Sequence, residues 1–282
     1  MFYENTGVKL PDFIIIGAMK SGTTTLYDYL SKHPDIVMSR KKETDFFVKE
    51  KNWKKGLDWY SNQFKAGGKI LGEASPNYTK QRDFTGVPER IFGVCPRVRF
   101  IYILRDPVQR AISQYQHSFL QEKQKSNSAD YWCEENYSHI LDASRYGTQL
   151  LCYLKFFPLD RFLFIDFCDL IKNPQTTINL VTEHIGVDSL LVSQPINENS
   201  GDIISGIPRE ILSFSQSRPG QFFSDLLSHS TKSALKKTLS LSKKRIAPCI
   251  PDIIIQRMKV DLVEEAALVR EYSCKSFSSW CI

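Results

Sequence analysis

The stretch from residue 13 to residue 26, FIIIGAMKSGTTTL, decides the fold of this chain. Its four leading apolar residues are typical of a buried parallel strand, and Gly17 and Gly22 let the backbone turn and approach a ligand closely. The threonines from Thr23 onward open a helix, whose free backbone N–H groups and dipole favour an anion. The stretch therefore predicts a strand, an anion-binding loop that contains Lys20, and a helix.

The position of the lysine separates this loop from the usual ATP-binding loop. In the pattern G-x-x-x-x-G-K-[ST] the lysine directly follows the second glycine. Here Thr23 follows Gly22, and Lys20 lies before that glycine. A chance glycine turn between a strand and a helix is the alternative interpretation. The uninterrupted strand before the loop and the helix after it favour an anion site, and the displaced lysine argues against an ordinary NTPase.

The composition is that of an ordinary globular protein, with 282 residues, 42% of them hydrophobic and 24% charged. The formal net charge of +6 is compatible with an anionic ligand and does not require nucleic acid. The residues before Asp12 lack the apolar core of a signal peptide, and no run approaches a membrane span, so a cytoplasmic protein without a membrane partner is expected. Seven cysteines without a C-x-x-C pair or a matching histidine cluster predict no metal site.

Strands and helices alternate along most of the chain. Strands are predicted at 13–16, 35–39, 69–76, 98–104 and 161–166, helices at 24–32, 53–64, 87–94, 144–157 and 174–185, and an irregular excursion at 121–138. This alternation predicts an α/β fold with a P-loop-type central parallel sheet flanked by helices. Residues 1–187 would form the core, and 188–282 a loop over 194–219 and a helical C-terminal extension over 224–241 and 252–272, all within one domain of 1–282.

A second strand delivers positive charge at its carboxyl end. The strand from Val98 to Leu104 is followed by Arg105 and by a helix that starts at Pro107, where the missing N–H costs nothing. Arg105 and Ser113 would suit one phosphate, because a guanidinium binds it bidentately and a hydroxyl adds a donor. A surface ion pair between Arg105 and Asp106 is the alternative.

The polar segment after the strand predicted at 35–39 contains a candidate catalytic carboxylate. Glu43 lies where the chain leaves the carboxyl end of that strand, the side on which open α/β sheets bind ligands. It is therefore expected to face the same crevice as Lys20, although a solvated loop is the alternative. His117 is the next candidate for a catalytic base, whereas His33 is interpreted as a packing residue at a helix end.

The two loops together resemble the cofactor loops of sulfotransferases that use 3′-phosphoadenosine 5′-phosphosulfate (PAPS). GAMKSGTTTL is similar to their 5′-phosphosulfate loop, and FIYILRDPVQRAISQY is similar to their 3′-phosphate loop. The nearest form is the heparan sulfate 3-O-sulfotransferase type and its bacterial relatives. The similarity covers most of the chain and includes His33-Pro34, the E-x-x-F-F element at Glu43 to Phe47, Pro88-Glu89-Arg90, Phe156 to Leu159, and the S-x-W element near the C-terminus.

The resemblance implies a role for each matching residue. Lys20 would hold the bridging oxygen of PAPS, and Glu43 would act as the general base. Arg105 and Ser113 would hold the 3′-phosphate, and Arg209 would lie in a late loop that closes over the nucleotide. The product nucleotide would be 3′,5′-ADP (PAP). The cofactor-binding residues would be Lys20, Ser21, Gly22, Thr23, Thr24, Arg105, Ser113 and Arg209.

Two departures from the family pattern concern the acceptor. The polysaccharide enzymes have a histidine two residues after the base and a lysine in an E-K-T-P motif, where this chain has Asp45 and Ala74. A heparan-type acceptor is therefore disfavoured. Asp45 and His117 are candidate acceptor contacts, and the acidic Asp45 suits a cationic or amine-bearing acceptor better than a polyanion.

The sequence thus predicts a PAPS-dependent sulfotransferase of secondary metabolism that modifies a hydroxyl or an amine of a small molecule. A guanidinium alkaloid of the saxitoxin type is one specific candidate for the acceptor. The alternatives are a P-loop nucleotide or metabolite kinase and a non-catalytic anion- or glycan-binding protein.

Overall fold

The computed structural model describes residues 8–65, 67, 69–120, 132–192 and 247–282. Arg209, the predicted loop 194–219 and the predicted helix 224–241 lie outside the described residues.

Five parallel strands form the central sheet, as the alternation of strands and helices predicted. The sheet order is β2-β3-β1-β4-β5, so that β1 lies in the middle and pairs with β3 on one side and with β4 on the other. Since β1 and β4 are neighbours, the loops at their carboxyl ends are adjacent. The strands are β1 (Phe13–Gly17), β2 (Ile36–Met38), β3 (Ile70–Ala74), β4 (Arg99–Leu104) and β5 (Phe162–Asp166).

Helices cover both faces of the sheet. They are α1 (Thr23–Leu30), α2 (Gly56–Ser61), α3 (Val87–Val94), α4 (Pro107–Leu120), α5 (Glu134–Asp142), α6 (Tyr146–Leu154), α7 (Phe167–Lys172), α8 (Pro174–Ile185) and α9 (Asp252–Ser273). Short 3₁₀ turns occur at Trp53–Lys55, Pro76–Thr79 and Leu159–Arg161.

Two of the predicted segments differ from the structure. The helix predicted over 53–64 is a 3₁₀ turn followed by the short α2, because Gly56 between them has a φ of 77° that interrupts the helix. The excursion predicted over 121–138 ends inside α5, in which Tyr137, Ile140 and Leu141 are buried at helical spacing. That periodicity becomes visible only when the residues beyond 138 are included.

The core has an aromatic side and an aliphatic side. Ile14 and Ile16 of β1 face an aromatic-rich cluster that includes Phe100 and Tyr146, whereas Phe13 and Ile15 face a mainly aliphatic cluster beneath α1 and α8. Every residue of β1 is buried, as its apolar sequence predicted. A rigid central strand therefore carries the loop that contains Lys20.

The C-terminal helix α9 packs on the same body. Met258 and Leu262 of α9 contact a cluster with residues of α4 and α5. The Tyr137 hydroxyl donates to Asp261 Oδ2 at 2.8 Å, and the Thr148 amide donates to Glu265 Oε2 at 2.8 Å. Within the described part of the chain, no helix combines the length and apolar character needed to cross a membrane.

Candidate active site

The loop after β1 is a tight turn that the neighbouring strand and helix hold in place. Lys20 has a φ of 68° and Gly22 a φ of 87°, so the backbone enters the left-handed region twice. The Ala18 amide donates to the Ile103 carbonyl of β4 at 2.7 Å, which ties the loop to that strand. A Cβ atom at Gly22 would lie 2.9 Å from a ring carbon of Phe167, so both the conformation and the packing require glycine there.

Helix α1 presents its N-terminus at this loop. The first helical hydrogen bond runs from the Leu26 amide to the Gly22 carbonyl at 3.1 Å, so the preceding amides have no partner within the helix. No acidic side chain lies in the first turn, and no side chain caps the helix. Ser21 and Thr23 are buried and Thr24 is half-buried at this end. These donors and the helix dipole create an anion-binding position beside Lys20.

The second predicted anion loop lies against the first. Arg105, which directly follows β4, donates from Nη1 to the Lys20 carbonyl at 3.4 Å, and its guanidinium lies over the Phe167 ring at 5.1 Å. Asp106 caps α4 by accepting the Gln109 amide at 2.8 Å, so one carboxylate oxygen is used by the helix. Arg105 and Lys20 therefore form one cationic edge of the sheet.

Ser113 is half-buried on α4, six residues beyond Pro107. That separation corresponds to about 9 Å along the helix axis. Its proposed contact with a 3′-phosphate stays a prediction. So does the proposed place of Arg209 in a loop that closes over the nucleotide, because Arg209 lies outside the described residues.

The electrostatic environment of Lys20 is that of an anion site. Burial lowers its pKa to about 8, and the positive charges of Arg105 and Lys42 act in the same direction, while Glu43 opposes them. The fully buried Arg110 also acts on Lys20, and among the described residues its guanidinium bonds uncharged groups: the Ser144 hydroxyl, the Gln114 amide oxygen and the Ile140 carbonyl. Positive charge thus exceeds negative charge here, and a bound anion would relieve the excess.

Glu43 lies at the same edge and interacts electrostatically with Lys20, so the two predicted catalytic residues are brought together. Its Oε1 is 3.1 Å from Lys42 Nζ, and 46% of its side chain is exposed. Burial alone would raise the pKa of Glu43, but Lys42, Lys51 and His117 together hold it below its usual value. Glu43 is therefore an ionised, accessible carboxylate that interacts electrostatically with His117, the other predicted candidate.

A buried polar network supports the loop that carries Glu43. The Thr44 hydroxyl donates to Glu73 Oε2 and lies 3.2 Å from the Tyr78 hydroxyl. Asn52 Nδ2 donates to the Thr44 carbonyl at 2.6 Å. Glu73 is completely buried, and burial raises its pKa from 4.5 to about 7. The position of Glu43 therefore depends on a carboxyl group at the end of β3, 30 residues further along the chain.

Asp45, which the sequence offers as a candidate acceptor contact, is paired with other side chains of the protein. Its side chain is buried, because Lys51 Nζ lies 2.5 Å from its Oδ2 and Asn77 Nδ2 donates to both carboxylate oxygens at 3.0 and 3.1 Å. The charge of its carboxylate is therefore already balanced by Lys51. The proposed contact between Asp45 and a cationic acceptor stays a prediction.

Sequence reasoning missed three residues at this site. Phe167 contacts both anion loops, but an aromatic residue after a strand carries no recognisable signal. Arg110 is present in the second motif, but its complete burial cannot be inferred from its position in the predicted helix. Lys42 was visible as part of the polar segment after β2, and only the structure shows that it pairs with Glu43 and acts electrostatically on Lys20.

Comparisons with known proteins agree with this architecture. The model of the family described as "Sulfotransferase domain" matches residues 10–208. The chain is 32% identical over 192 residues to mouse heparan sulfate glucosamine 3-O-sulfotransferase 5, covering 64% of this chain and 54% of that protein. It is 30% identical over 208 residues to mouse bifunctional heparan sulfate N-deacetylase/N-sulfotransferase 2, covering 67% of this chain and 23% of that protein.

The fold is also that of a solved sulfotransferase. The crystal structure of a sulfotransferase from Alicyclobacillus acidocaldarius superposes with a TM-score of 0.68 at 21% identity, covering 97% of this chain and 99% of that one. The chain belongs to the sulfotransferase domain family, and the resemblance inferred from the two loops is confirmed. It spans 54% of the length of the 3-O-sulfotransferase relative and 23% of the N-deacetylase/N-sulfotransferase.

Proposed function

We propose that this chain transfers a sulfuryl group from PAPS to a hydroxyl or an amine of a small-molecule acceptor and releases PAP. One arrangement carries the proposal. Two cationic loops leave the adjacent strands β1 and β4, and the ionised Glu43, which follows β2, interacts electrostatically with Lys20. Membership of the sulfotransferase domain family supports the same reaction.

The chemistry of the two loops fits a nucleotide that is phosphorylated at both ends. Lys20 and the amides at the start of α1 suit a 5′-phosphosulfate, since they combine an ammonium with a helix N-terminus. Arg105 and Ser113 suit a 3′-phosphate at the neighbouring loop. The excess of positive charge around Lys20 supports a ligand with several negative charges.

The reaction is an in-line displacement at sulfur, with charge spread over several oxygens as in phosphoryl transfer. Glu43 accepts the proton of the acceptor as the new bond to sulfur forms. Lys20 and the α1 amides stabilise the negative charge that develops on the phosphate oxygen as its bond to sulfur breaks. The electron pair of that bond remains with the departing PAP.

The acceptor is proposed only as a class. Since Asp45 is paired with Lys51, Glu43 is the accessible carboxylate of this segment, and His117 interacts with it electrostatically. Paired charges of this kind suit the hydroxyl or amine of a small polar acceptor. A guanidinium alkaloid remains one specific candidate, to be compared directly with acidic saccharides.

Calorimetry with PAP and, separately, with ATP and Mg²⁺ tests the proposed donor. We expect tight binding of PAP and none of ATP, whereas binding of ATP alone would favour the kinase alternative. Mass spectrometry after incubation with PAPS and a panel of guanidinium, amine and acidic-saccharide acceptors then tests transfer. Glycan binding without any mass gain of one sulfuryl group, and unchanged by Lys20→Ala, would favour a non-catalytic binding protein.

A further inference from the structure

Lys42 is an ammonium whose surroundings call for an anion in addition to Glu43. Only 9% of its side chain is exposed, whereas its ion-pair partner Glu43, at 3.1 Å, keeps 46% of its side chain accessible. Removing an ammonium from water is costly unless it is well paired. Among the residues that the structure describes, Glu43 is the ion-pair partner of Lys42, and one carboxylate that solvent can also reach is an incomplete partner for such a charge.

The backbone around Lys42 is fixed relative to the loop that contains Lys20. The Ser39 carbonyl accepts a hydrogen bond at 2.6 Å from the Tyr27 hydroxyl of α1, the helix that begins at that loop. The Arg40 amide donates to the Gln63 carbonyl at 2.8 Å, and the Ser39 hydroxyl donates to the Lys41 carbonyl at 2.8 Å. Lys42 therefore starts from a rigid position beside the proposed donor site.

The location of Lys42 is defined by two groups with opposite roles. It bonds Glu43 directly, and its charge acts on Lys20. In an in-line displacement the attacking and leaving oxygens lie on opposite sides of the transferred atom. Lys20 would be on the leaving side and Glu43 on the attacking side. A cation within range of both would lie beside the sulfur, where the non-bridging oxygens are.

We propose that Lys42 is a catalytic residue that contacts the non-bridging oxygens of the sulfuryl group during its transfer. This inference rests on the proposed function. In the step, the acceptor oxygen forms a bond to sulfur and its proton passes to Glu43. The bond between sulfur and the phosphate oxygen breaks, and its electron pair leaves with PAP. Lys42 keeps its protons throughout and neutralises charge on the moving group.

If Lys42 formed only a structural ion pair with Glu43, it would make no contact with the sulfuryl group. The affinities for PAPS and PAP distinguish the two roles. PAPS carries the sulfuryl group and PAP does not, while both carry the phosphates that Lys20 and Arg105 would bind. A general loss of positive charge weakens both nucleotides, whereas loss of a sulfuryl contact weakens only PAPS. This comparison needs no acceptor.

The test is calorimetry of PAPS and PAP on Lys42→Met, which keeps most of the enclosed stem and removes the charge. We expect PAPS affinity to fall by about tenfold or more, the effect of one charge-assisted hydrogen bond, while PAP affinity changes little. Lys42→Arg should restore part of the PAPS preference. Lys49→Ala, at an exposed lysine nearby, should change neither, and Lys20→Ala should weaken both.

Equal effects of Lys42→Met on both nucleotides, or an effect on neither, would overturn the assignment of Lys42. If the wild-type protein bound neither nucleotide, the proposed function itself would fail, which is a distinguishable result. Thermal unfolding of each variant shows whether it is folded. Should Lys42→Met not fold, the ratio of PAPS to PAP affinity in Lys42→Arg decides, because an unchanged ratio would contradict a contact that depends on geometry.

Discussion

The donor side and the acceptor side of the candidate site are built differently. On the donor side, Lys20, Arg105 and the start of α1 present cations and amides, and the pKa of Lys20 is lowered by burial and by neighbouring positive charge. On the acceptor side, the polar side chains bond one another. Lys42 bonds Glu43, Asp45 bonds Lys51 and Asn77, and Thr44 bonds Glu73.

This difference shows which half depends on a ligand to complete its interactions. The donor side has an excess of positive charge that a bound nucleotide would neutralise, whereas most of the acceptor-side groups named above, Lys42 excepted, are already paired within the protein. In such a site, hydrogen bonds within the protein position the base, whereas the bound substrate balances the positive charge of the donor loops. Variants on the two sides should therefore fail in different ways.

Lys20→Ala should produce the largest loss. It removes the ammonium from the proposed leaving group, so we expect transfer from PAPS to fall by at least about 10²–10³-fold and PAP binding to weaken as well. Steady-state kinetics and calorimetry measure the two effects. Lys32→Ala, at an exposed lysine just beyond α1, is the matched control, and a Lys20→Ala protein with normal turnover would remove Lys20 from the reaction.

Glu43→Gln should impair turnover without impairing nucleotide binding. Loss of the general base should lower kcat by about 10²-fold or more, while PAP affinity should be kept because no donor-side group changes. Glu50→Gln, at an exposed glutamate, is the control. Turnover at the wild-type rate would show that Glu43 is not the base, and His117→Ala would then be the next variant to measure.

The pH dependence of PAP binding tests the charge on Lys20. Because burial and neighbouring cations lower the pKa of Lys20 to about 8, its ammonium is present below that pH and is lost above it. PAP affinity should therefore be level below pH 8 and should fall above it, by up to about tenfold per pH unit. Lys20→Arg keeps its charge and should remove this decline, so a decline that persisted in that variant would assign the titration to another group.

The sequence predicted the donor side better than the acceptor side for a physical reason. Lys20 and Gly22 lie in the loop after β1, and Arg105 directly follows β4. Because parallel strands bring their carboxyl ends to one edge, local pattern and topology together predict that these residues meet. The same rule predicted that Glu43 would face Lys20. The pairing of Asp45 with Asn77, 32 residues away, depends on tertiary contacts that no local period encodes.

Composition and spacing also did not predict which lysines of the polar segment are buried. Lys42 and Lys51 belong to one charged stretch, yet 9% of the first side chain and 36% of the second are exposed. The segment that carries Glu43 is held in place in part by the hydrogen bond from Thr44 to Glu73 of β3. That contact depends on the tertiary structure and has no local sequence signal.

Glu73→Gln should have a small effect on transfer and a clear effect on stability. Burial raises the pKa of Glu73 from 4.5 to about 7, so the folded state holds a proton that the unfolded state loses between these values. The free energy of unfolding should therefore decrease as pH rises from 4.5 to 7, by up to about 3 kcal/mol from this group. Glutamine stays neutral and keeps an oxygen that can accept from Thr44, so the variant should lack this part of the decline.

Urea unfolding of the wild-type protein and of Glu73→Gln at several pH values measures that difference directly, because contributions from other groups cancel. Thr44→Val, which removes the hydroxyl but keeps the shape, should lower stability at every pH and should also reduce kcat, since the loop that carries Glu43 loses its support. If the two unfolding profiles were parallel between pH 4.5 and 7, Glu73 would be ionised in the folded protein. The acceptor side would then contain a buried charge that its hydrogen bonds stabilise, and it would resemble the donor side more closely than the contacts of Thr44 imply.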